Sequence, residues 1–150
     1  MRSLLMIGVL TIAVPDRPDR NPADTRPLQE QLQGDWLMVH SVIGGVAKDY
    51  NMGSGALYTF TGNQLFTRNP KQPEPVAFGI TMDATRTPAF IDFLAGSVGP
   101  KTNYPGIFKI EGDTLTLCFP RAVGKERPTE FASPADTAMI ALYQLKRLQR

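Results

Sequence analysis

Few residues in this sequence could serve as a nucleophile and a base. Cys118 is the only cysteine and His40 the only histidine among the 150 residues. A cysteine–histidine pair needs close approach and a third group that orients the base. Cys118 lies between Leu117 and Phe119, in an apolar segment without a neighbouring group that would lower the pKa of a thiol. The sequence therefore predicts a structural Cys118, packed as a small apolar side chain.

The carboxylates Asp92, Glu111 and Asp113 could suggest acid–base catalysis. Glu111 and Asp113 flank Gly112, and this tripeptide is more typical of a tight turn, in which aspartate accepts backbone hydrogen bonds. Asp92 is predicted to pair with a basic residue such as Arg127. A single histidine excludes a multi-histidine metal site, and the sequence contains no phosphate-binding glycine loop, zinc spacing or nucleophile elbow. A hydrolase-type enzyme is therefore the least favoured function, and no catalytic residue, metal or cofactor is assigned.

Composition limits the remaining classes of function. Sixteen Lys and Arg against fourteen Asp and Glu leave a net charge of +2, and no long basic run is present. This balance argues against nucleic acid as the main partner. Thirteen glycines and thirteen prolines favour many turns over long helices, while 42% hydrophobic residues allow the core of one domain.

The N-terminus has the pattern of a secretory signal peptide at residues 1–13. Met1-Arg2-Ser3 is positively charged, and the apolar run 4–14 is shorter than the roughly 20 residues of a spanning helix. Thr11 and Ala13 could occupy positions −3 and −1, which predicts cleavage before Val14. The alternative interpretation of the run is a first buried strand. Cleavage would give an exported protein, periplasmic or extracellular, with no membrane span.

Residues 14–27 are predicted to be a linker, because four prolines interrupt backbone hydrogen bonding and Asp and Arg alternate between them. The folded domain is predicted to cover residues 28–148. It begins with a helical turn at 28–32, where two leucines at i, i+4 share one face and Gly34 ends the turn.

The rest of the domain alternates between strand patterns and turn signals. Eight strands are predicted at 36–43, 56–60, 64–68, 76–82, 89–94, 106–110, 114–119 and 138–145. No helical crossover separates them, so the strands should pair antiparallel in meander order. Eight such strands can close into an up-and-down barrel that has no free edges. A two-sheet sandwich is the alternative fold.

A signature at the two ends of the meander favours the barrel. Gly34-Asp35-Trp36 opens the first strand, and Lys146-Arg147 follows the last. In a closed barrel these strands are neighbours, so that Arg147, or alternatively Lys146, can cover the Trp36 ring in a cation–π contact. Gly-x-Trp with a late arginine resembles the structural signature of the lipocalin superfamily.

Four segments together resemble one particular family. They are LQGDW (32–36), TPAFIDF (87–93), GIFKIEGDTLTLC (106–118) and RPTEF (127–131). In this order they are similar to an uncharacterised small-domain family that is abundant in planctomycete bacteria, is regarded as lipocalin-like and often follows a signal peptide. The resemblance implies a fold and an exported location, and it supplies no catalytic or binding residues. The residues that we assign to structural roles are Gly34, Trp36, Asp92, Gly106, Gly112, Asp113, Cys118, Arg127, Pro128, Glu130, Phe131 and Arg147.

The segment RPTEF is the most distinctive part outside the predicted strands. Pro128 fixes the backbone, and Phe131 could plug an opening of the barrel. A structural role, in which this loop holds the last connection in place, is favoured over a role in ligand binding. Alternation places Cys118 on the outer face of its strand, so the thiol needs a cover, which the loop 121–134 can supply through Phe131.

Two functions follow from a lipocalin-like barrel. The first is the binding of a small, mainly apolar ligand inside it. The predicted lining residues are Met38, His40, Phe78, Ile80, Phe108 and Leu117. The second is a filled barrel that acts as a structural or protein-interaction module at the cell envelope, with an envelope protein as its partner. The volume of any internal cavity separates these two hypotheses.

Overall fold

The fold was analysed in a computed structural model that describes residues 24–51, 53–96, 102–122, 124–135 and 139–149. The predicted signal peptide and residues 14–23 of the predicted linker lie outside these ranges. The elements are α1 (Leu28–Leu32), β1 (Gly34–Ile43), β2 (Val46–Asp49), β3 (Leu57–Thr61), β4 (Gln64–Asn69), β5 (Gln72–Asp83), β6 (Ala89–Ala95), β7 (Thr102–Glu111), β8 (Thr114–Pro120) and β9 (Ile140–Arg147). No helix within the described ranges is long and apolar enough to cross a membrane.

The sheet is a closed antiparallel barrel. Its strands follow the order β1-β3-β4-β5-β6-β7-β8-β9, and β9 returns to pair with β1. Each pair of neighbours is antiparallel, as expected for strands joined without helical crossovers. The predicted all-β, eight-stranded, lipocalin-like barrel with a short N-terminal helical turn is therefore confirmed, and the sandwich alternative is wrong.

The described residues contain one strand that the sequence did not predict. β2 has four residues, all exposed, and it pairs with the second half of β1 after a turn at Gly44 and Gly45. Its sequence, Val-Ala-Lys-Asp, has no apolar alternation because neither face of the strand is buried. β1 therefore has two partners on the same side, β3 beside its first half and β2 beside its second.

Several strands extend beyond their predicted bounds. β9 runs to Arg147, where Lys146 pairs with both Leu37 and Thr114 and Arg147 pairs with Trp36. The sequence pattern ends the strand before this polar pair, because charged residues weaken a hydrophobic pattern. Ladder hydrogen bonds are formed by the backbone, so the pairing continues through both residues, although Lys146 is exposed and Arg147 lies over the Trp36 ring.

Alternation along the strands places one set of side chains inside the barrel. Val76, Phe78, Ile80 and Met82 share one face of β5, as predicted, and each pairs with an inward residue of β4 or β6. Most of the largest fully buried residues belong to one core cluster that includes Leu32 of α1. They are Leu32, Trp36, Phe60, Leu65, Ile91, Phe108, Leu115, Leu117 and Leu145.

The barrel end beneath α1, here called the α1 end, is closed by Trp36. This side chain is fully buried, and its Nε1–H donates a hydrogen bond of 2.8 Å to the carbonyl oxygen of Leu32. The guanidinium carbon of Arg147 lies 4.2 Å from the indole centroid, which confirms the predicted contact. Arg147 also donates to the carbonyl oxygens of Gln31 (2.6 Å) and Gln33 (3.2 Å), so it ties α1 to the last strand.

Gly34 permits this arrangement through its backbone conformation. Its φ of +111° lies in the left-handed region, which side chains with a Cβ rarely adopt. A Cβ at Gly34 would also lie 4.0 Å from a guanidinium nitrogen of Arg147. The glycine of the Gly-x-Trp signature therefore allows the chain to turn sharply from α1 into β1 beside the Trp36 ring.

Candidate functional site

The interior of the barrel differs between its two ends. At the α1 end, Phe60, Phe108 and Leu117 are at most 1% exposed and fill the space between the strands. At the opposite end, here called the open end, a cavity of about 250 Å³ remains. Its aromatic lining residues are Tyr58, Phe78, Phe93, Tyr104, Phe119 and Tyr143. Leu65, Thr67 and Arg121 complete the lining.

A second cavity of about 290 Å³ adjoins the first. Tyr58, Thr67 and Tyr143 line both, and the second extends toward Met38 and Tyr50 on one side and Glu74 on the other. The hydroxyl oxygens of Ser41 and Tyr50 share a hydrogen bond of 3.1 Å across β1 and the β2–β3 connection. The open end therefore holds an apolar, aromatic compartment next to a more polar one.

Four rings form a continuous edge-to-face series in the cavity wall. Ring centroids are 5.2 Å apart for Phe93 and Phe119, 5.2 Å for Phe119 and Tyr143, and 6.4 Å for Tyr143 and Tyr58. Interplanar angles of 64°, 83° and 88° are the geometry that aromatic quadrupoles favour. The wall is thus held in shape by its own contacts, which reduces the ordering that a ligand would need to impose.

The polar atoms of this wall are hydrogen-bond donors at neutral pH. Burial raises the pKa of the Tyr58 phenol, and the nearby Tyr143 phenol raises it further. Burial also raises the pKa of Tyr143, while the positive charge of Arg121 opposes that rise. Both phenols are therefore neutral at pH 7 and keep their O–H groups for donation.

The structure places the predicted lining residues in three different environments. Met38 lines the second cavity and Phe78 the first, at the open end. Phe108 and Leu117 belong to the packed core of the α1 end, and Ile80, also in that core, borders a small groove beside α1 instead of the cavity. Alternation predicts which face a residue occupies and leaves its height along the barrel axis undetermined. The lining predicted at these three positions is therefore wrong.

His40 does not share a face with Trp36 and Met38. The β1–β9 register shifts between Met38 and His40, so Val39 is an extra residue that reverses the alternation. The Nδ1 atom of His40 lies 2.6 Å from a carboxylate oxygen of Asp49, whose side chain is 88% exposed. The bulge therefore turns His40 toward β2 and the outside, and the predicted lining role is wrong for it as well.

Cys118 and His40, considered above as a possible nucleophile and base, lie on strands that are not neighbours. Cys118 is on β8 and His40 on β1, with β9 between them. Among the described residues, no group of three or more His, Cys, Asp or Glu side chains could hold a metal ion.

The predicted pair of Asp92 and Arg127 is present on the outer face of the barrel. A guanidinium nitrogen of Arg127 lies 2.6 Å from Asp92 Oδ1 and donates to the carbonyl oxygen of Gly106 at 2.7 Å. The Arg127 guanidinium carbon also lies 4.1 Å from the centroid of Phe90. Gly106 is itself tightly enclosed, since a Cβ there would be 3.0 Å from the Cys118 carbonyl oxygen. These contacts anchor the loop 121–134 across β6 and β7.

The same loop covers Cys118, although the cover differs from the prediction. The thiol is fully buried, and Sγ lies 3.6 Å from the carbonyl oxygens of both Glu130 and Ala132. The backbone on either side of Phe131 therefore forms the cover. The Phe131 ring lies under the ammonium of Lys109, 4.9 Å from its centroid, on the outside of β7. Phe131 is thus a surface contact of the loop, and the predicted plug of the barrel opening is wrong.

We expect native Cys118 to react slowly with a thiol reagent. Burial raises its pKa, so both the thiolate fraction and access are low. Labelling with Ellman's reagent at pH 8 should be slow in buffer and fast in denaturant, and Cys118→Ser should cost about 1 kcal/mol of unfolding free energy. Equal rates in native and unfolded protein would contradict the burial of the thiol.

The sequence predicted Phe78 and missed eight other residues that line this cavity: Tyr58, Leu65, Thr67, Phe93, Tyr104, Phe119, Arg121 and Tyr143. Five of them are aromatic residues within strands, and their inward parity with neighbouring apolar residues was the available signal. Arg121 carried no such signal, because it lies one residue beyond β8.

Fold and cavity together define a small antiparallel β-barrel that is packed at one end and hollow at the other. Comparison with protein-family models, curated proteins and solved structures gives no match to this chain.

Proposed function

We propose that this protein binds a small, mainly apolar ligand in the open end of its barrel and performs no chemistry on it. The observation that carries the proposal is the cavity of about 250 Å³ with six aromatic side chains in its wall. Concave, mainly apolar cavities with a few polar groups are typical of small-molecule sites. The larger groove of about 870 Å³ at the α1 end is less suitable, because both guanidinium groups in its lining are engaged: Arg26 pairs with Asp24, and Arg147 donates to backbone carbonyls.

Binding of the neutral fluorescent probe N-phenyl-1-naphthylamine tests this proposal. Thr67 borders both cavities, so Thr67→Phe should fill the space where they meet. We expect saturable binding to the unmodified protein and a Kd at least about tenfold higher for the variant, a loss of ~1.4 kcal/mol. Thr61→Phe, an exposed position at the end of β3, is the matched control and should bind as the parent does. Absence of saturable binding to a folded parent protein would refute the proposal.

A protein-interaction module at the cell envelope is the second candidate. It is favoured by β2, whose four residues are exposed and whose Val46 is 71% exposed. Exposed edge strands are templates for pairing with another chain. Native mass spectrometry of protein purified from its own host distinguishes the candidates: a bound small molecule supports the first, and a bound protein that is lost in Val46→Lys supports the second.

We also propose that the mature protein is exported and that it belongs with the lipocalin-like planctomycete family that its segments resemble. The charged start, the short apolar run and the proline-rich stretch after it support export. N-terminal sequencing of periplasmic or secreted material should begin close to Val14. Recovery of the protein only from the cytoplasm, with Met1 intact, would contradict this expectation.

A further inference from the structure

We infer that the ligand is an apolar carboxylic acid and that Arg121 binds its carboxylate at the mouth of the cavity. This inference rests on the proposed function and adds the chemical class of the ligand. Arg121 is the one charged residue among the described residues that line the aromatic cavity. A positive charge in an otherwise apolar lining selects for an anion and against a cation.

The position of Arg121 is set by the end of β8. Leu117 and Phe119 face the interior, so Arg121 continues the same face one step beyond the strand. Its backbone N–H donates to the carbonyl oxygen of Met139 at 2.5 Å, which fixes the base of the side chain beside the start of β9. The exposed side chain therefore starts from a fixed point at the rim of the open end.

The guanidinium of Arg121 has no internal partner within the part of the chain that the structure describes. Three other arginines are engaged: Arg127 with Asp92, Arg147 with the carbonyl oxygens of Gln31 and Gln33, and Arg86 with Asp83. None of the described residues that line the aromatic cavity is a carboxylate, so none of them neutralises Arg121. No described residue occupies its donors, and a ligand carboxylate can accept two of them at once.

The phenol of Tyr143 is a second hydrogen-bond donor, and the charge of Arg121 acts on it. This phenol remains neutral because burial raises its pKa. A ligand carboxylate between these groups would accept from the guanidinium and from the phenol O–H. Its apolar body would then lie along the rings of Phe119, Phe93 and Tyr143, which are in mutual edge-to-face contact.

The charge in the second, more polar cavity also favours a ligand with its carboxylate at Arg121. The carboxylate in its lining, Glu74 of β5, is exposed, and the same lining contains Gln72 of β5 and Asn69 of β4. The negative charge is therefore in the polar compartment and the positive charge in the aromatic one. An acid with its carboxylate at Arg121 avoids Glu74, whereas an amine would meet Arg121 beside the aromatic wall.

The test compares decanoate with 1-decanol, which share a chain length and differ in charge. Displacement of N-phenyl-1-naphthylamine from the full chain gives both affinities. We expect decanoate to bind at least about tenfold more tightly than decanol at low salt, since charge-assisted bonds form only with the acid. The preference should decrease as ionic strength rises, because Arg121 is exposed to solvent.

The variant Arg121→Met keeps a flexible, unbranched side chain, which is shorter than that of arginine and carries no charge. It should lose the preference for decanoate over decanol, while Arg121→Lys should keep part of that preference. Arg68→Met, an exposed arginine on β4, is the matched control and should change neither affinity. Circular dichroism verifies that each variant is folded.

The possible failures can be told apart. If the neutral probe binds and decanoate is not preferred, or Arg121→Met keeps the preference, the carboxylate inference is overturned and the proposed cavity stands. If neither the probe nor the acid binds to the folded protein, both the proposed function and this inference fail.

Discussion

Replacement of Trp36 by alanine should lower the free energy of unfolding by about 3–5 kcal/mol, the usual cost of truncating a buried large aromatic residue. The indole is fully buried, donates to the Leu32 carbonyl oxygen and lies under the Arg147 guanidinium. Removal of the indole leaves a cavity at the α1 end and breaks its hydrogen bond between β1 and α1. Urea denaturation followed by far-ultraviolet circular dichroism is the suitable measurement, because Trp36 is the only tryptophan.

The control for this substitution is Trp36→Phe. It keeps an aromatic face for Arg147 and loses the Nε1–H bond, so we expect a smaller loss of about 1–2 kcal/mol. A loss below about 1 kcal/mol for Trp36→Ala would contradict the role of the indole as the plug of the α1 end.

The second large effect is expected at the outer clamp of the loop 121–134. Arg127→Met should cost about 2–3 kcal/mol, because Asp92 loses its ion-pair partner while only 20% of its side chain is exposed to water. The Gly106 carbonyl oxygen loses a donor in the same substitution. Thiol labelling of Cys118 should also become faster, since the loop that covers it is less firmly held. Denaturant unfolding and labelling rates measure the two consequences.

Arg86→Met is the matched control for this prediction. Its guanidinium also lies near the Phe90 ring, at 5.5 Å, and contacts Asp83 at 3.6 Å, but its side chain is 63% exposed. Exposed pairs of this kind contribute little, so the loss should be under about 0.5 kcal/mol. A double-mutant cycle with Asp92→Asn and Arg127→Met should show a loss smaller than the sum of the single losses. Additive losses would mean that the two side chains do not interact.

The sequence predicted the features of this fold that follow from the alternation of apolar residues along the strands and from the pairing of the first and last strands. The closed meander predicts the contact of Trp36 with Arg147, because it makes the first and last strands neighbours. The pairing of Asp92 with a basic residue such as Arg127 rests on opposite charge and not on strand order, since Arg127 lies in a loop. β2 could not be predicted in this way, since an exposed strand has no buried face to produce a pattern.

The cavity was the least predictable feature. Phe78 and Phe108 have similar sequence environments, yet one lines the hollow end and the other is packed in the core. The difference arises from their height along the barrel axis, which depends on the stagger of all the strands. The prediction for His40 was wrong for a more local reason. Val39 is an extra residue in β1, so His40 lies on the opposite face of the strand from the one that alternation predicts. Arg121 lies beyond the end of a strand, where strand periodicity gives no information.

The seam between β1 and β9 has a consequence for the order in which the barrel forms. The bonds from Arg147 to Gln31 and Gln33 join residues that are 116 and 114 positions apart in the sequence. Contacts between distant residues are slow to form, whereas the hairpins of β3–β4 and β7–β8 involve residues close in sequence. During synthesis from the ribosome, Trp36 emerges early and its cover emerges more than a hundred residues later. Until then β1 remains without β9, and its unpaired edge is exposed to aggregation.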